Sequence, residues 1–229
     1  MTLRNTMLAT LAGVALFAGA AHGEGLGSNV APGAEVDEAA VSAMSNMALA
    51  QRLATVGVET GDPIILIAAA RLAGGVAGSP SDLTPRDGQA SATNESPSLH
   101  SADEMLVAAT AFAQGRDDIL GLIEDAAAET SRGSVYGSGY YDGYISGGDN
   151  LYYDEAFYGG EQAIITLQGH NPSDIDLWVY DEYGNLICSS TGYSSNESCT
   201  FTPRWTGEFT VRVENEGHAR GTYFTLWTN

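Results

Sequence analysis

The spacing of apolar residues changes period along this chain. Up to about residue 130 they recur at helical intervals, whereas from Leu151 onward they alternate. No single element type satisfies both patterns, because a helix buries one stripe every ~3.6 residues and a strand buries every second side chain. The chain must combine the two. The sequence predicts a multi-domain α and β protein, with N-terminal α-helical hairpins followed by a C-terminal antiparallel β-sandwich of jelly-roll-like form.

The helical region, residues 37–130, is read from its caps. Asp37 can cap a segment in which Ala40, Met44, Met47, Ala48 and Leu53 share helical spacing, and Gly61 breaks it. Asp62-Pro63 restarts a helix, with Asp as N-cap and Pro at the first helical position, and Ile64–Ala73 ends at Gly74-Gly75. Ser101-x-x-Glu104 forms a capping box for Ala102–Gln114, and a last helix runs from near Asp117 to about Glu129. Between the pairs, residues 76–100 carry Pro80, Pro85 and Pro97 without periodicity and predict a mobile loop. Two similar helix pairs are too few for a solenoid and favour a small bundle. Residues 131–150, rich in Gly, Ser and Tyr, read as a linker or an irregular first strand.

Residues 151–229 alternate. Ala163, Ile165 and Leu167, then Ile175, Leu177 and Val179, then Phe209, Val211 and Val213 would face one core. Turn signals at Gly159-Gly160, Gly169–Ser173, Glu182–Asn185, Arg204–Gly207 and Gly217–Gly221 separate the strands.

The first 23 residues read as a secretory signal. Arg4 supplies its positive end, Met7–Phe17 is apolar but too short to span a bilayer, and small residues permit cleavage after Ala20 or Gly23. Residues 24–36 would form a flexible N-terminus. An exported bacterial protein, periplasmic or secreted, is expected, with no membrane span in the mature chain. The formal net charge is −20, and all nine basic residues are Arg. Such a field repels nucleic acid and anionic membranes and leaves protein, glycan and cation as partners. Cys188 and Cys199, with ten residues between them, predict a disulfide in an oxidising compartment. The loop it closes corresponds to about 3 kcal/mol.

Several motifs lie in the alternating part. A Gly160-Glu161 turn precedes a strand, and Asp-x-Asp-Leu-x-Val-Tyr-Asp runs from Asp174 to Asp181. A turn at Gly184 follows, then Trp205-Thr206-Gly207 leads to a strand ending Val213-Glu214-Asn215, and Phe224 and Leu226 close the pattern. Together they resemble the bacterial pre-peptidase C-terminal domain family over roughly residues 150–229. The resemblance implies a small extracytoplasmic β-sandwich. It also implies company with collagen-binding modules, some stabilised by calcium, although the helical residues upstream carry no peptidase motif.

The chemistry is sparse. Asp174 and Asp176 lie two apart on a strand and share a face, and Asp181 follows in the turn; three carboxylates with loop carbonyls suit Ca²⁺. Asp149, Asp154 and Glu155 are further acids, and Arg212 is an alternative partner for the pair. Trp178, Tyr180, Tyr223 and Trp227 share an outward register that would give a stacking face for sugar or peptide, or ordinary packing if that face is covered. Trp205 reads as a plug in its Pro-Arg-Trp-Thr-Gly corner. His100, His170 and His218 sit apart in loops, and no H-E-x-x-H, G-x-S-x-G or phosphate-binding loop is present. The expectation is a non-catalytic binding or scaffolding protein. The alternatives are a calcium-dependent carbohydrate- or matrix-binding accessory protein, or a secreted hydrolase with an unrecognised site.

Overall fold

A computed structural model describes residues 27–74, 76–86, 98–130, 136–170, 173–217 and 220–229. The secretory signal, His218 and residues 87–97 of the expected mobile loop lie outside the described residues. Four helices form where the caps place them: α1 (Glu38–Thr60), α2 (Pro63–Ala73), α3 (Ala102–Ala113) and α4 (Asp117–Thr130). Asp37 accepts from the N–H groups of Ala39 and Ala40, Asp62 accepts from that of Ile64, and Gly61 ends α1 at φ 64°. Ser101 accepts from the Glu104 N–H at 3.2 Å, but Glu104 reaches back to the His100 N–H at 2.6 Å rather than closing the box on Ser101. Met44, Met47, Leu66 and Met105 fill the helical core, and Ala50, Ala54, Ala69, Ala70 and Ala109 let the helices approach closely.

Nine strands follow the chain: β1 (Val76–Pro80), β2 (Tyr136–Ile145), β3 (Asn150–Phe157), β4 (Ala163–Gly169), β5 (Ile175–Tyr180), β6 (Leu186–Ser190), β7 (Asn196–Phe201), β8 (Gly207–Asn215) and β9 (Thr222–Thr228). They build a five-stranded sheet, β1-β2-β9-β4-β7, facing a four-stranded sheet, β3-β8-β5-β6. Every pairing is antiparallel except β1 on β2. The inner faces meet over Tyr153, Ile165, Leu167, Leu177, Phe209, Val211, Phe224 and Leu226. A disulfide joins Cys188 of β6 to Cys199 of β7, so it clips together one edge strand from each sheet.

Three local expectations change. The Gly- and Tyr-rich stretch is no linker over 136–145: it is the ten-residue strand β2, which pairs with β9 from Gly139 to Ile145. Glycine suits this strand because a side chain at Gly143 would run into the rings of Tyr141 and Phe224. Residues 76–80 of the expected loop are strand β1, and Gly78 lies against the Trp227 indole where no Cβ fits. The N-terminal stretch is pinned over its described part. Asn29 is wholly buried, its backbone N–H donates to Asp181, and its side-chain oxygen accepts from the N–H groups of Arg204 and Trp205.

The helices cover the outer face of the five-stranded sheet. All seven residues of β4 are therefore buried, with Ile165 and Leu167 toward the sandwich core and Ile164 in the helical core. Trp227 joins that helical core too. The outer face of the four-stranded sheet carries no such layer among the described residues.

Candidate functional site

That uncovered face is assembled by register. Across β3, β8 and β5, Asn150, Glu214 and Asp176 form one row, Tyr152, Arg212 and Trp178 the next, and Asp154, Thr210 and Tyr180 a third. The alternate residues, Leu151, Val211, Val213, Leu177 and Val179, point into the core, which forces these nine outward. The Arg212 guanidinium lies 4.6 Å from the centre of the Trp178 ring and donates to Glu214 at 2.8 Å. Arg86, from the turn after β1, forms an ion pair with Asp154 and donates to Thr210 at 2.9 Å. A cleft of about 350 Å³ opens beside this third row, lined by Arg86, Tyr152, Tyr180, Glu182 and Glu208.

At the other end of the face the acids converge. One carboxylate oxygen each from Asp176, Glu214 and Glu216 lie within 4.8 Å of one another. Asp176 is only 6% exposed, yet its Oδ1 has no hydrogen-bond partner, and neither has Oδ1 of Asp174. Burial, with Asp174 and Glu216 beside it, pushes the Asp176 carboxyl up to about 6 against the hydrogen bond from the Gly192 N–H. Orphaned buried carboxylate oxygens facing two more carboxylates suit a hard cation, which takes ~6–8 oxygen ligands. Trp178 Nε1 and Arg212 Nε are likewise buried without partners next to this cluster.

Asp181 does not join it. At ~3.3 Å per strand residue it lies about 16 Å beyond Asp176, and its oxygens are occupied. It accepts from the N–H groups of Asn29, Tyr183 and Asn185 and from the Asn185 amide, at 2.8–3.0 Å. Burial alone would raise its carboxyl, but these donors, the Asn185 side chain foremost, hold it below the usual range. Asp181 is a staple for the β5–β6 turn and for Asn29.

The expected aromatic face divides as well. Trp178 and Tyr180 lie half-buried on the uncovered face. Trp227 is 1% exposed beneath the helices, and Tyr223 packs edge-on against Tyr144 of the five-stranded sheet. The alternation of β9 does set Trp227 opposite to Phe224 and Leu226, but outward from the sandwich means inward to the helical layer. Trp205 is no plug: it is 38% exposed, and its Nε1 donates to Glu182 at 2.6 Å. Arg212 pairs with Glu214 rather than with the two aspartates. Sequence reasoning missed Glu214 and Glu216, although their parity, opposite to Val211 and Val213, marks them as outward.

Two distant histidines meet on the other sheet. Asp142 accepts from Thr225 at 2.7 Å and lies 2.9 Å from His100 Nε2, while Ser98 Oγ lies 2.9 Å from His170 Nε2. Ser98 and His170 thus stand at nucleophile-to-base distance. Thr225 shares the same ring nitrogen at 3.1 Å, and His170 Nδ1 has no partner, so no carboxylate orients the ring as a catalytic triad requires. Burial lowers the His170 pKa.

No family model matches the chain, and no curated protein does. Among solved structures it is similar to the pre-peptidase C-terminal domain of collagenase from Bacillus anthracis, at 14% identity over 39% of this chain and 87% of that one, with a TM-score of 0.34. It is similar to Aeromonas hydrophila PliG, a periplasmic lysozyme inhibitor of g-type lysozyme, at 15% identity over 40% and 84%, TM-score 0.32. A third is the carbohydrate-binding module CBM36 in complex with calcium and xylotriose, at 10% identity over 39% and 88%, TM-score 0.28. Likenesses at this level carry no functional argument for this chain.

Proposed function

We propose that the chain is an exported, non-catalytic binding protein that presents the outer face of its four-stranded sheet to a glycan, with calcium held beside that face. The observation that supports this reading is the open Tyr152–Arg212–Trp178 row running directly into the Asp176–Glu214 row. Aromatic rings take the apolar faces of sugar rings, and Arg212, Asp154 and Glu182 offer hydrogen bonds to hydroxyls at the edges. Asp176, Glu214 and Glu216 would hold the cation, with Asp174 beside them. When bound, calcium supplies positive charge that offsets their mutual repulsion, and an open coordination position for a ligand hydroxyl. The Cys188–Cys199 disulfide suits an oxidising compartment.

The test is glycan-array binding of the mature protein with calcium and with chelator, alongside Trp178→Ala. Calcium-dependent binding that the variant loses supports the reading. Binding indifferent to both calcium and Trp178, or a folded protein that retains no glycan, would sink it.

A further inference from the structure

A second cleft, of about 340 Å³, lies on the opposite side of the molecule, between α1 and the β4–β7 edge of the five-stranded sheet. Seven of its nine lining residues are polar, and three of them carry buried atoms without partners. Gln168 and Asn196 are direct neighbours in the β4–β7 register, so both side chains leave the sheet toward α1. Gln168 is 1% exposed, yet its side-chain oxygen has no hydrogen bond; the Asn196 side-chain oxygen and His170 Nδ1 are buried and unpartnered too. Leaving such a group unmade costs about 1–3 kcal/mol. Three of them around one opening point to something that fills it.

The other wall is charged at both ends. Arg52, Thr55, Val56 and Glu59 form one stripe of α1 that lines the cleft. Arg52 forms no ion pair among the described residues, and neither does Glu59. Seven residues of helix separate them, a rise of about 10.5 Å. The cleft therefore has a cationic end, an anionic end and a floor of unpartnered polar atoms.

We propose that this cleft binds a short free peptide, about three residues long, with its carboxylate at Arg52 and its ammonium at Glu59. Three extended residues span roughly 10 Å, which matches the rise along α1 from Arg52 to Glu59. The peptide N–H groups would meet the orphaned oxygens of Gln168 and Asn196, and His170, neutral through burial, offers Nδ1 between them. Other occupants fit less well. A sugar would find no aromatic ring apart from the imidazole, and a nucleotide would meet a single guanidinium in a chain of net charge −20. An apolar ligand would leave every acceptor unmade.

The experiment is an NMR titration of the mature protein with tri-alanine, following the His170 ring and the Gln168 and Asn196 side-chain amides. The parallel titrations use N-acetyl-tri-alanine and tri-alanine amide, and the variants Arg52→Gln and Glu59→Gln, both at exposed helix positions. Free tri-alanine should bind, and each cap should weaken it about fivefold or more, as expected for the loss of one charge-assisted contact. Arg52→Gln should erase the difference between acid and amide, and Glu59→Gln the difference between amine and acetyl. Trp178→Ala, on the other sheet, should change nothing here, which separates this site from the glycan face. Binding of both capped peptides as tightly as free tri-alanine overturns the proposal, and so does a titration to millimolar tri-alanine that moves none of the three side chains.

Discussion

The indole N–H of Trp227 donates to the side-chain oxygen of Gln51 at 3.1 Å, a buried hydrogen bond between residues 176 positions apart. It ties the last strand to the first helix through the helical core. Helices and sandwich are thereby expected to unfold as one cooperative unit, with far-UV dichroism and tryptophan fluorescence tracing the same transition. Trp227→Ala, which empties the largest fully buried side chain, should cost about 3–5 kcal/mol. Trp178→Ala, on the uncovered face, should cost much less. Two separate transitions in the parent protein would refute the coupling.

Calcium should raise the melting temperature of the protein at fixed salt. At a free concentration near 100 Kd the gain would be about 2.7 kcal/mol. Glu216→Gln should reduce the response and Asp176→Asn remove it. Asp181→Asn should leave it intact while destabilising the fold, because its carboxylate is saturated by Asn29, Tyr183 and Asn185 donors. A response that follows Asp181 instead of Asp176 would reverse the assignment.

The pH dependence has a definite sign. The Asp176 carboxyl is raised from 3.8 to about 6 in the folded protein, so between those values the folded state binds the extra proton. Its contribution to stability is present below the unfolded pKa and is lost as pH rises through about 6. In chelator, Asp176→Asn should therefore gain on the parent as pH rises from about 4 to about 6 and keep that gain above it, because an amide mimics the protonated acid. Melting temperatures of the two proteins from about pH 4 to about pH 8, with no divergence between about 4 and 6, would contradict this.

Reducing the disulfide removes the clip between the edge strands β6 and β7. Cys188→Ser with Cys199→Ser should lower stability by about 3 kcal/mol, measured by denaturant titration. Far-UV dichroism of the folded variant should keep its shape, since both sheets retain their central ladders.

The helices and the central strands were legible because their signals are local. Asp37, Asp62 and Ser101 cap where they stand whatever packs above them, and β5 and β8 alternate because a sheet has two sides. Tyr136–Ile145 was legible only as a linker or an irregular first strand, since its glycines acquire a reason once the rings of Tyr141 and Phe224 exclude a Cβ at Gly143. The acidic cluster was legible by half. Parity gives the side of the sheet for Asp176 and Glu214, but only the register of β5 against β8 brings them together.

Sequence alone determined the four helices, the alternating strands beyond Leu151, the disulfide and the acidic charge, all properties of neighbouring residues or of the whole composition. Tertiary structure decided what covers each face. The helical layer buries Trp227 and leaves Trp178 open, although the two tryptophans carry the same outward parity. It also sets Arg52 and Glu59 above Gln168 and Asn196. Parity is a property of one strand, whereas exposure is a property of everything packed against it.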